Sequence, residues 1–148
     1  MQIKVSLVED NAPLAKEIEK WINGTKDLKC VKVYPSAETA LKSMLTDPPD
    51  IMLVDLRLPG MSGVDFIKQL KPLCPDTQCL VLTMYSESEL IFEALKAGAC
   101  GYLLKRIKSS DIADAIRQVH AGGSVMTRDR QGREIARSSR PRRRAWSG

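Results

Sequence analysis

The chain has 148 residues, 43% of them hydrophobic and 28% charged, a composition that fits one compact globular domain with at most a short extension. No apolar run approaches the roughly 20 residues needed to span a bilayer, and Met1-Gln2-Ile3-Lys4-Val5 enters a strand pattern without a signal-peptide layout, so a cytoplasmic location is expected. The net charge of +5 is uneven: from Thr127 onward eight arginines face only Asp129 and Glu134, whereas the first 126 residues carry 15 basic and 16 acidic side chains.

Ile3-Lys4-Val5-Ser6-Leu7-Val8 predicts a first strand, ending on the acids Glu9 and Asp10. Asn11-Ala12-Pro13 then places a proline in a first helical turn, where its missing N–H costs nothing. Leu14, Ile18, Trp21 and Ile22 mark the apolar face of that helix, and Asn23-Gly24 ends it. Leu28 to Tyr34 reads as a second strand. Ser36 is a candidate N-cap, with Ala37, Ala40, Leu41, Met44 and Leu45 as the following helix face. Asp47-Pro48-Pro49-Asp50 is a rigid lead into Ile51-Met52-Leu53-Val54, four consecutive apolar residues of the kind buried inside a parallel sheet. That run stops on Asp55 and breaks into Pro59-Gly60 and Ser62-Gly63, which are turn signals.

Val64, Phe66, Ile67, Leu70 and Leu73 give a third helix, stopped near Pro72 and Pro75. Gln78 to Thr83 is a fourth strand. Ser86 with Glu89 has capping-box spacing and opens a fourth helix through Leu90, Ile91, Ala94 and Leu95 to Gly98. Cys100 to Leu104 is a fifth strand, ending on Lys105. Ser109-Ser110-Asp111 starts a fifth helix with Ile112, Ala115, Ile116 and Val119 on its face, ending at Gly122-Gly123. Cys30, Cys74, Cys79 and Cys100 lack metal-ligand spacing and read as buried free thiols of a reducing compartment. His120, the only histidine, is given no catalytic role. Five strand–helix units with short connections demand right-handed crossovers, hence an α/β doubly wound parallel sheet with helices on both faces.

In such a sheet all strand carboxyl ends share one edge, where open α/β folds hold ligands. Glu9, Asp10, Asp55, Thr83 and Lys105 are therefore brought together. Three close carboxylates repel one another, and a hard divalent cation, best matched by Mg²⁺, removes that repulsion. Lys105 and the Thr83 hydroxyl suit phosphoryl oxygens. The whole is an electrostatic cage for a phosphoryl group, with Asp55 as a nucleophile forming an acyl phosphate.

These residues resemble the receiver domain of bacterial two-component response regulators over residues 1–123. The resemblance rests on Glu9-Asp10, Asp55 with Leu58-Pro59-Gly60-Met61-Ser62-Gly63, Thr83 and Lys105. Val81-Leu82-Thr83-Met84-Tyr85 and Ala97-Gly98-Ala99-Cys100-Gly101-Tyr102-Leu103-Leu104-Lys105 look most like the NarL/FixJ-like subfamily. The resemblance implies a flavodoxin- or CheY-like sheet in the order 2-1-3-4-5 with five helices. It further implies phosphoryl transfer to Asp55 from a sensor histidine kinase, with no other enzymatic turnover. Mg²⁺ would be ligated by Asp10, Asp55 and the Arg57 backbone carbonyl, with Glu9 acting through water. Thr83 and Tyr102 would form the switch pair reporting to the face of the fourth helix, fifth strand and fifth helix. A phosphorylation-dependent homodimer and a C-terminal helix-turn-helix are also implied.

Two departures from the family pattern stand out. Lys105 is followed by Arg106 rather than proline, and the residue after Thr83 is Met84 where a small one is common. Arg57, Met84 and Tyr85 are expected to form a bulky rim that slows loss of the phosphoryl group. Residues 124–148 read as a basic, disordered tail, either a truncated linker or an expression remnant, too short and too polar for a helix-turn-helix core. Arginine-driven nucleic-acid binding is the sharper alternative for the tail. A stand-alone receiver acting by protein contact is a further alternative. A phosphatase of the haloacid dehalogenase type is a weaker one, since that family needs an early-strand nucleophile and an acid where Arg57 stands.

Overall fold

The computed structural model describes residues 2–43, 47–83, 88–104 and 109–122. The elements alternate: β1 (Ile3–Val8), α1 (Ala12–Asn23), β2 (Leu28–Tyr34), α2 (Ala37–Ser43), β3 (Ile51–Val54), α3 (Gly63–Leu73), β4 (Gln78–Thr83), α4 (Ser88–Ala97), β5 (Gly101–Leu104) and α5 (Ser109–His120). The strands form one parallel sheet in the order β2-β1-β3-β4-β5, as the sequence predicts. Met44, Leu45 and Ser86, assigned above to helix faces and a cap, lie outside the described residues.

All four residues of β3 are buried, as are all four of β5. Continuous apolar runs are what strands covered on both faces require. Successive residues then serve opposite layers. In β4, Cys79 and Val81 pack with Ala37, Phe66, Leu70, Ile91 and Leu95. Leu80 and Leu82 pack on the other face with Ala15, Ile18, Ile22, Ile112 and Ile116. The sheet is thus sandwiched between α2, α3 and α4 on one side and α1 and α5 on the other.

The edge strand β2 breaks register against β1 between Val5 and Ser6, so Val31 is bulged out. That bulge and the exposed Lys29 and Lys32 are features that discourage a further strand from pairing there. The α1 face centres on Ala15, Ile18 and Ile22. Leu14 and Trp21, also predicted for that face, are half-buried and pack against the same core. Leu73 departs from expectation outright: it is 51% exposed, because α3 runs through Pro72 and Cys74 takes the buried place beyond it. One proline in a last turn removes a single bond, and the next turn still closes through the Cys74 N–H to the Leu70 carbonyl at 2.8 Å.

All four cysteines are free, three buried and Cys100 half-buried. Burial pushes the Cys30 thiol up to about 11 and the Cys79 thiol up to about 12. Both stay protonated at neutral pH and act as small apolar core residues.

Candidate functional site

Ladder hydrogen bonds carry the acids together. β1 and β3 run in register with Val8 beside Val54. The pairing continues one step further, with the Asp55 N–H donating to the Val8 carbonyl at 3.1 Å and the Glu9 N–H to the Tyr34 carbonyl at 3.0 Å. Glu9 and Asp55 are consequently fixed by backbone, side by side, at the carboxyl edge of the sheet. One carboxylate oxygen from each of Glu9, Asp10 and Asp55 lies within 4.8 Å of the others. Glu9 and Asp55 are buried, at 3% and 6% exposure, while Asp10 faces solvent.

Glu9 accepts the Asn11 N–H at 3.1 Å, and Asn11 in turn caps α1 by accepting the Leu14 N–H at 3.1 Å. A shallow cavity of about 240 Å³ opens beside the acids between α1 and the end of β2, lined by Lys16, Glu19, Val33 and Pro35 among others. Glu9 and Asp10 line that cavity, and Asp55 does not. Two buried carboxylates and one exposed, all hard oxygen donors, fit a small divalent cation such as Mg²⁺ and fit thiophilic metals poorly.

The loop from Asp55 to Gly63 is held at several points. The Arg57 N–H donates to Asp55 Oδ1 at 3.3 Å, and Leu56 and Leu58 are buried. The Gly63 N–H donates to the Leu56 carbonyl at 3.1 Å. A Cβ on Gly63 would overlap the Asp55 carbonyl oxygen and stand 2.8 Å from Leu56 Cα, so only glycine lets α3 begin this close to the strand end. Ser62 caps α3, its hydroxyl accepting the Asp65 N–H at 3.2 Å.

Glu38 of α2 reaches across to accept the Met61 N–H at 3.0 Å. That hydrogen bond is the main cause holding its carboxyl below the usual glutamate value. Sequence reasoning missed Glu38. It reads as an ordinary exposed helix residue, and nothing in its spacing announces a partner 23 positions later.

Thr83 ends β4 fully buried. It stands one step beyond Asp55, since Val54 pairs with Val81. Tyr102 is fully buried in the cluster with Val81, Ile91 and Leu95, on the strand paired with β4. Arg57 is exposed at the mouth of the site. Lys105, Met84, Tyr85 and Arg106 lie outside the described residues. The structure therefore brings Glu9, Asp10, Asp55, Arg57 and Thr83 to one edge, with Tyr102 behind it.

This geometry coincides with a known family. The model of the response regulator receiver domain matches residues 5–117. The chain belongs to that family. The receiver is 32% identical over 124 residues to the DNA-binding transcriptional activator DevR/DosR of Mycobacterium tuberculosis, covering 84% of this chain and 57% of that protein. It is 34% identical over 125 residues to the response regulator protein VraR of Staphylococcus aureus, covering 84% of this chain and 60% of that protein. The chain thus spans somewhat under two thirds of the curated relatives it matches. Among solved structures, a LuxR-family two-component response regulator from Aurantimonas sp. SI85-9A1 shares the fold with a TM-score of 0.79 at 24% identity. That match covers 94% of this chain and 91% of that one. The receiver assignment agrees with the NarL/FixJ-like resemblance and does not favour a phosphatase. No helix among the described residues is long and apolar enough to cross a membrane.

Proposed function

We propose that this receiver accepts a phosphoryl group on Asp55 from a sensor histidine kinase and relays the event to an attached effector. The observation that carries the reading is the acidic triad: Glu9, Asp10 and Asp55 present oxygens within 4.8 Å of one another at the sheet edge. In this reading an Asp55 oxygen attacks phosphorus, the new P–O bond forms as the P–N bond to the kinase histidine breaks, and the imidazole departs with that electron pair. Asp10, Asp55 and the Arg57 carbonyl would hold Mg²⁺, with Glu9 acting through water. When bound, the ion neutralises charge on the transferring phosphoryl oxygens.

Thr83 donates its hydroxyl to one phosphoryl oxygen and Lys105 pairs with another. Tyr102, packed behind Thr83, carries the change outward to the surface of α4, β5 and α5, where a second copy would dock. Arg57, Met84 and Tyr85 would limit attack by water on the phosphorylated Asp55. Transcriptional control through a DNA-binding domain is the role this reading assigns to the effector, supported by relatives of which one is named a DNA-binding activator and both are longer than this chain. Cytoplasmic residence goes with that role.

Intact mass after incubation with Mg²⁺ and acetyl phosphate tests the core of the proposal. Wild-type protein gains the mass of one phosphoryl group, and Asp55→Asn gains none. An adduct of equal yield in Asp55→Asn would remove Asp55 from its assigned role.

A further inference from the structure

The loop that follows Asp55 is tied to a helix that contributes nothing to the acidic triad. Resting on the receiver reading above, we propose that Glu38 is a positioning residue, its carboxylate holding the 55–63 loop in the shape that aims the Arg57 carbonyl and Asp55 at the metal. Three observations meet there. Glu38 Oε2 accepts the Met61 N–H at 3.0 Å. Gly60 has a φ of 74°, and the carboxylate of Glu38 occupies the space a Cβ on Gly60 would need. Ser36 closes the first turn of the same helix through the Thr39 N–H at 3.2 Å, so Glu38 projects from a fixed turn.

Between its ends the loop has an anchor at each flank: the Arg57 N–H on Asp55 Oδ1 and the Gly63 N–H on the Leu56 carbonyl. Glu38 supplies a fixed point at the turn itself, through the Met61 N–H. A charged acceptor makes a stronger bond to an N–H than a neutral one. Groups that orient ligands without touching the metal set its affinity. The left-handed glycine and the carboxylate fit one another: a side chain at position 60 would be strained by its φ and would also displace Glu38.

The test uses the full chain, with Glu38→Ala, Glu38→Gln and Asp10→Asn, Mg²⁺ binding by titration calorimetry, and amide exchange at Met61 by NMR without metal. Glu38→Ala is expected to speed Met61 exchange at least several-fold and to weaken Mg²⁺ by about tenfold, the scale seen for orienting partners. Glu38→Gln, whose amide oxygen still accepts the N–H, recovers most of both. Unchanged exchange at Met61 in Glu38→Ala overturns the contact. Lost protection at Met61 with wild-type Mg²⁺ affinity overturns the positioning role. Wild-type protein that binds no Mg²⁺, or binds it as well with Asp10→Asn, fails the triad itself and takes this role with it. That failure appears without reference to Glu38.

Discussion

At the scale of single residues, the site combines groups that chemistry needs with groups that only geometry needs. In the proposed reading Asp55 and Glu9 belong to the first kind, and their meeting at one sheet edge was legible in the sequence, because each ends an apolar run on a strand of one parallel sheet. Gly63 belongs to the second. Its turn character was visible, but the overlap of any Cβ with the Asp55 backbone is a tertiary fact. Arg57 does both, donating its N–H to Asp55 while its side chain stands exposed at the mouth. In the proposed reading, a long side chain there would hinder the line along which water approaches an acyl phosphate. Arg57→Ala and Tyr85→Ala should therefore each raise the dephosphorylation rate several-fold, read as decay of the phosphorylated mass after removal of donor. Unchanged rates in both would show that the rim does not govern lifetime.

At the scale of elements, helix starts matter because those of α1 and α3 border the site. Ser62 satisfies an N–H in the first turn of α3, and α3 follows directly on the Asp55 loop. Replacing a capping serine by alanine costs about 1 kcal/mol. Ser62→Ala is expected to lower the unfolding free energy by that amount, read as a lower urea midpoint at an unchanged slope. The exposed place of Ser62's partner Asp65 keeps the effect local. Larger losses would mean that the cap also supports the 55–63 loop.

Elements were the most legible level. Period-two and continuous apolar runs gave all five strands, and Asn11-Ala12-Pro13 marked α1. Leu73 was misplaced: it is an apolar residue at plausible spacing, but core positions are decided by which neighbours arrive, and Cys74 is the buried one. Glu38 eluded the sequence for a related reason, since a side-chain acceptor for a distant backbone N–H leaves no periodic trace.

At the scale of the whole molecule, one ion pair among the described residues joins segments 90 positions apart on the α1 and α5 side of the sheet. Arg117 of α5 grips Asp27, in the turn before β2, through Nε and Nη2 at 2.8 and 2.9 Å, and holds Asp114 through Nη1 at 2.7 Å. Its guanidinium is the main cause keeping the Asp27 carboxyl below the ordinary aspartate value of 3.8. Both side chains are about two-fifths exposed, so solvent screens the pair and its contribution is modest. The sign follows from linkage: a carboxyl depressed in the folded state adds stability above its unfolded value, and that share is lost as pH falls through the folded one. Arg117 keeps its charge throughout, so only Asp27 titrates. The difference in urea midpoint between wild type and Asp27→Asn should be flat from neutral pH to about 5 and shrink toward zero below 3.8. A difference that persists at low pH would mean that the neutral side chain, by hydrogen bonding alone, joins α5 to the α1–β2 turn. In that case the α5 end of the switch surface would be held independently of charge.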